Sequence, residues 1–237
     1  MAGPTPLPPR LFRAACALGA CAVVLMVLVE AGWGPLLDAD RAVSRWLHGP
    51  ALDHPGWTRA QRILTDWVWD PWTFRALLAC AVVGLWWYGQ RAAAGWTALT
   101  AAVGTAVQQG LKGALGRERP RWREPVDSAE YAAMPSGHVM TAAVACVLLL
   151  WLLRTLGSPA VVAALWRPGL VVAGLSVPGV AFTRVWLGVH WLTDTVVGAL
   201  LGAALGLASA GLWGVWRGRA GGSPAARLPD GARDERR

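Results

Sequence analysis

The sequence predicts an all-α, polytopic membrane protein, a six-transmembrane-helix bundle whose costly polar residues gather at one membrane interface. Three observations carry that expectation. Hydrophobic residues make up 55% of the 237 and charged residues only 15%, and mean hydropathy is +0.40. Six windows of the chain approach the ~20 mostly apolar residues that a helix needs to cross a bilayer core. Sixteen Trp stand against three Phe and two Tyr, and Trp favours membrane–water interfaces, where its ring is half apolar and its N–H stays wet.

The first window, 11–32, is longer than the apolar core of a signal peptide and has no convincing small-residue cleavage site, so it reads as a retained helix. The connection 33–71 has mixed charge and ends in DWVWDPW. It reads as a short amphipathic segment in the interface, anchored by Trp67, Trp69 and Trp72, with His48 and His54 as solvated loop residues. The remaining windows are 72–89, 93–115, 137–156, 168–187 and 191–216, so residues 1–216 form one six-helix unit. From Arg217 to Arg237 the chain is rich in Gly, Pro, Ala and Arg, the composition of a disordered basic cytoplasmic tail.

The net charge of +8 does not point to nucleic acid. Many arginines sit at segment ends, and no basic stripe interleaved with exposed aromatics occurs. Cys16, Cys21, Cys80 and Cys146 all fall inside apolar runs without CxxC or disulfide spacing, and read as small core residues.

Helices alternate direction, so the count fixes which ends share a face. The end of the third helix, the start of the fourth, the end of the fifth and the start of the sixth lie together. Arginine placement makes the other face cytoplasmic, yet Arg117, Arg119, Arg121 and Arg123 crowd the outer one. Charges that break the rule need a reason.

Three polar clusters meet on that outer face. In KGALGRERP, Lys112 is the only lysine of the chain, and Lys112 and Arg119 share a face if the helix continues, with Pro120 ending it. In MPSGH, Ser136 is placed as an N-cap, and the free N–H groups of Gly137 and its successors suit a phosphate oxygen. His138 beside them can protonate a leaving oxygen. In TRVWLGVHWLTD, Gly188 lets the chain turn between two helices. His190 and Asp194 then stand at i and i+4, so the carboxylate can fix the imidazole tautomer and free the other nitrogen to attack. Together Lys112, Arg119, Arg184, the helix N-terminus and the histidines describe an anion site with a nucleophile and a general acid. This inventory requires no metal or cofactor, and Glu118, Glu124, Asp127 and Glu130 read as solvated loop residues.

The pattern K-x6-RP, then PSGH, then (S/T)R-x5-H-x3-D resembles the type 2 phosphatidic acid phosphatase superfamily. That group includes bacterial membrane lipid phosphatases, undecaprenyl-pyrophosphate phosphatases and vanadium haloperoxidases. The matching residues are Lys112, Arg119 and Pro120, then Pro135 to His138, then Arg184, His190 and Asp194; Thr183 stands where the pattern usually has serine. The resemblance implies catalytic roles for His190 as nucleophile, Asp194 as its orienting carboxylate and His138 as acid. It implies that Lys112, Arg119, Ser136, Gly137 and Arg184 hold the phosphoryl oxygens. The expected partner is a lipid phosphate or pyrophosphate of the undecaprenyl pyrophosphate, phosphatidylglycerophosphate or phosphatidic acid class, met at the extracytoplasmic interface. A non-catalytic lipid-phosphate binding or transport protein could use the same pocket, but would not need the His190–Asp194 pair.

Overall fold

The computed structural model describes residues 9–221, with side chains from 10 to 218. The chain is helical throughout its spanning regions: α1 (Pro9–Glu30), α2 (Gly34–Asp53), α3 (Pro55–Ile63), a π-helical turn (Leu64–Val68), α4 (Pro71–Trp87), α5 (Arg91–Leu115), α6 (Gly137–Leu156), α7 (Pro159–Trp186) and α8 (Leu192–Gly221). Twenty residues of α6 span about 30 Å at 1.5 Å per residue, the thickness of a bilayer core.

Five helical stretches among the described residues are long and apolar enough to cross a membrane: Arg10–Glu30, Pro55–Trp87, Gly137–Leu156, Pro159–Trp186 and Leu192–Gly218. The sixth expected span, α5, is long enough at 25 residues but too polar, because it carries Thr97, Thr100, Thr105, Gln108, Gln109 and Lys112. Its buried threonines are satisfied inside the bundle: Thr97 and Thr100 donate to carbonyls one turn back, at 2.8 Å each, and Thr100 also meets Ser209 Oγ at 2.6 Å. Such bonds are what a polar helix needs away from water. Exposed Trp46, Trp57, Trp67 and Trp72 ring one end of the bundle, and Trp86 and Trp87 the other, the two aromatic belts of a membrane protein. The protein is a multi-pass membrane protein.

Helix α6 is central, packed against α4, α5, α7 and α8, while α1 lies along α8. In lipid no hydrophobic force drives helices together, so close backbone approach at small residues has to do it. Gly198, Gly202 and Gly206 form that seam on α8. A Cβ on each would come within 2.8 Å of Ser136 O, 2.6 Å of Met140 O and 2.7 Å of Val147 Cβ, all on or just before α6. The seam sets the start of α6 beside the start of α8, where Ser136 N–H donates to Asp194 O at 2.9 Å.

Several expectations are corrected. Helix α7 starts at Pro159 rather than near 168, and Pro168 and Pro178 lie inside it; neighbouring helices make an internal proline tolerable in a membrane. The 33–71 connection is two helices and a π-turn rather than one short segment. Trp67 and Trp72 are exposed as anchors, but Trp69 packs on α7, so close that a Cβ on Gly179 would run into its ring. His54 is exposed, whereas His48 is half-buried and stacks on Trp122 at 3.8 Å between ring centroids. Cys16, Cys21 and Cys80 face outward rather than into the core. Helix α8 continues through Gly221, so residues 217–221 are helical rather than disordered; 222–237 lie outside the described residues.

Candidate active site

The expected residues converge at one end of the bundle, around a cleft of about 270 Å³ between the starts of α4 and α6, the ends of α5 and α7, the loop after α5 and the turn before α8. Lys112, Arg119, Gly137, His138, Arg184 and His190 line it. Ser136, Thr183 and Asp194 do not line it and are fully buried beside it.

Each cation arrives from a different local structure. Helix α5 ends at Leu115, where Gly116 takes the left-handed conformation (φ +58°) that closes a helix. Lys112 and Arg119 therefore do not share a helical face: Lys112 is on the last turn, and Arg119 is on the extended chain beyond. Carbonyls of the following loop receive both. Lys112 Nζ donates to Ala132 O at 2.6 Å, and Arg119 donates to Glu130 O at 3.0 Å, Tyr131 O at 2.9 Å and Val189 O at 2.5 Å. Arg184, on the last turn of α7, is only 5% exposed. Its Nη1 reaches Thr65 Oγ1 of the π-turn at 3.4 Å, and its Nε is buried without a partner among the described residues.

Helix α7 stops because Gly188 turns the chain at φ +69°, with Gly188 N–H on Val185 O and Val189 N–H on Arg184 O. Any side chain there is strained at this φ and must displace the Trp122 ring, since a Cβ would lie 2.6 Å from Trp122 Nε1, which donates to Gly188 O at 2.9 Å. The turn carries His190 to the cleft. Its Nδ1 lies 3.4 Å from Asp194 Oδ2, and its Nε2 lies 3.1 Å from Arg119 Nη1. A guanidinium only donates, so Nε2 is the acceptor and the proton sits on Nδ1, toward the carboxylate. Burial, and after it Arg119, Arg184 and Lys112, hold the His190 ring well below the usual imidazole value. The ring is therefore neutral, with a lone pair toward the cleft. Burial likewise lowers Arg119, though a guanidinium remains charged.

Helix α6 begins at Gly137 with Ser136 at the N-cap position, but the Ser136 hydroxyl makes no capping bond and is buried without a partner among the described residues. Gly137 is closely covered by Gln108, whose Nε2 would lie 2.6 Å from a Cβ. Thr183 donates back to Val180 O at 2.8 Å, so its hydroxyl is spent on its own helix rather than in the cleft.

Sequence reasoning missed four partners. Asp70, the N-cap of α4, lines the cleft with Oδ2 3.9 Å from His138 Nε2, close enough to pair with a protonated ring. Asp40 of α2 and Arg117 form a buried ion pair at 2.7 Å, and Arg117 also reaches Asp194 at 2.6 Å. Thr193 bridges them, donating to Asp40 and accepting from Arg117. Asp40 carried the one available signal: a carboxylate on the face of α2 that also holds Ser44, Leu47 and Ala51, all buried.

A helical membrane protein with a cation-lined cleft in front of a buried histidine and its carboxylate is the class these features define. The chain belongs to the PAP2 superfamily, whose model matches residues 93–217. Its fold is similar to the crystal structure of a transmembrane PAP2 type phosphatidylglycerolphosphate phosphatase from Bacillus subtilis. That likeness has a TM-score of 0.71 at 20% identity, over 91% of this chain and 98% of that one. No curated protein matches the chain by sequence.

Proposed function

We propose that the protein is an integral-membrane phosphatase that hydrolyses a phosphomonoester or pyrophosphate of a lipid through a phosphohistidine intermediate, without a metal. Membership of the PAP2 superfamily and the fold of the Bacillus subtilis enzyme support a membrane lipid phosphatase. The single observation that carries the mechanism is His190, with Nδ1 toward Asp194 and Nε2 toward the cleft among Arg119, Arg184 and Lys112.

In this reading Nε2 attacks phosphorus in line with the leaving oxygen. As the P–O bond breaks, His138 gives that oxygen a proton. Water then attacks the phosphohistidine, His138 accepts its proton, the P–N bond breaks and inorganic phosphate leaves. The three cations and the N–H groups at the start of α6 offset charge on the equatorial oxygens throughout. A lipid whose tail stays in the bilayer presents its headgroup to such an interfacial cleft. We place the cleft on the extracytoplasmic side, with α5 as the sixth span, because Arg10, Arg13, Arg91, Arg154 and Arg217 flank the opposite end.

The deciding experiment is phosphate release by the purified, reconstituted protein from a lipid diphosphate, phosphatidylglycerophosphate and phosphatidic acid. Release from at least one is expected, with His190→Ala inserting normally and releasing none. Vanadate should inhibit competitively and EDTA should not; strong EDTA sensitivity overturns the metal-free step. Saturable lipid binding without release, equal in wild type and His190→Ala, would instead favour a binding or transport protein.

A further inference from the structure

We infer that Asp40, on α2 and outside the segment matched by the family model, is a positioning residue that balances the charge of Arg117, so that Asp194 keeps its own negative charge for His190. This rests on the phosphatase reading above.

Asp40 is 1% exposed and fully engaged. Its Oδ1 accepts Thr193 N–H at 2.9 Å; its Oδ2 accepts Thr193 Oγ1–H at 2.5 Å and Arg117 Nη2–H at 2.7 Å. Arg117 turns its other arm to Asp194 Oδ1 at 2.6 Å and Thr193 Oγ1 at 2.6 Å. The second oxygen of Asp194 remains for His190 Nδ1 and for Trp191 N–H, which donates at 2.8 Å.

Counting charge explains why two carboxylates share one guanidinium. Arg117 with Asp194 alone would be a neutral pair, leaving nothing to favour the positive charge that develops on the imidazole once Nε2 binds phosphorus. With Asp40 present the cluster keeps one net negative charge beside the ring. A buried ion pair is costly and contributes little net stability, so its place directly behind His190 is better accounted for by orientation and charge than by folding. Asp40 also fixes Thr193 by backbone and side chain, which anchors the first turn of α8 and with it the rotamer of Asp194. The connection before α4 thus supplies part of the active site.

The test is Asp40→Asn, which preserves shape but removes charge. The expected result is a fall in kcat on the order of 10- to 100-fold, the range for residues that orient a functional group from behind, with KM for the lipid within about threefold because no phosphate contact is lost. Asp40→Asn combined with Arg117→Gln removes both charges and returns Asp194 its negative charge, so kcat should recover above the single variant. A structural role predicts the reverse, a double variant no faster than the single. Wild-type kcat in Asp40→Asn, or no recovery in the double variant, overturns the inference. Should Asp40→Asn not accumulate in the membrane, the double variant decides alone, and turnover no better than Asp194→Asn overturns it. If wild-type protein releases no phosphate from any lipid, the phosphatase reading has failed instead.

Discussion

Gly202→Ala tests whether the α6–α8 seam sets the geometry of the site. The new Cβ would lie 2.6 Å from Met140 O and 2.7 Å from Ala143 Cβ. One neighbour is backbone and the other is fixed to it, so neither can swing aside. Reaching an ordinary 3.4 Å contact opens the seam by about 0.8 Å. An equal shift at the start of the helices would stretch the 2.9 Å Ser136–Asp194 bond past 3.5 Å, moving Gly137 and His138 away from His190. Overpacking of this kind costs about 1–3 kcal/mol, and a misplacement near 1 Å can cost about 100-fold in rate. Phosphate release and thermal midpoint of the purified variant would both be measured. Gly211→Ala is the control, because that glycine of α8 has nothing within 4 Å of a Cβ. Turnover within twofold of wild type at an unchanged midpoint would refute the seam as the element that aligns the histidines.

Two further outcomes follow from the site. His190 is held below its ordinary value of 6.5 by burial first, so the fold keeps it neutral while the unfolded chain takes up a proton. Its contribution to stability is therefore complete above pH 6.5 and declines by about 1.4 kcal/mol per pH unit below it. His190→Gln should lose less thermal stability than wild type between pH 7 and pH 5, and an equal loss would contradict a buried neutral ring. Gly188→Ala should cost about 2 kcal/mol, from the left-handed backbone at φ +69° and the displaced Trp122 bond. Trp122→Phe, which loses that bond and part of the His48 stack but leaves the backbone turn unchanged, should cost about 1 kcal/mol; equal losses in thermal midpoint would show that the backbone conformation contributes nothing.

The sequence made His190, Asp194, Arg184, His138, Lys112 and Arg119 legible because ionisable residues in apolar surroundings are costly and stand out. It also made the turn at Gly188 legible, since a helix could not put Arg184 and His190 on one face. What stayed hidden is long-range. Asp40 and Arg117 are 77 positions apart, and nothing local says that they meet. Other misses were local readings overruled by context. Pro168 read as a helix start, but its helix continues through it. Lys112 and Arg119 read as one helical face, but Gly116 ends the helix between them. Thr183 kept the hydroxyl of the usual serine and spent it on Val180 O. The span read at α5 is not such a miss: the helix is long enough to cross, although its composition is more polar than that of the other five.

The pairing of α1 with α8 has a consequence for how the molecule is made. Chains are synthesised from the N-terminus, and early elements begin to organise first. The inner face of α1, with Ala22, Met26 and Val29, packs with Val197, Leu200 and Leu201 of α8, which follows every other described helix. Until α8 arrives α1 lacks its main partner, Arg117 and Asp40 lack Asp194, and the carboxylate behind His190 is missing. Assembly of the bundle and completion of the cleft are thus one late event, and a chain stalled before α8 is both unclosed and unarmed.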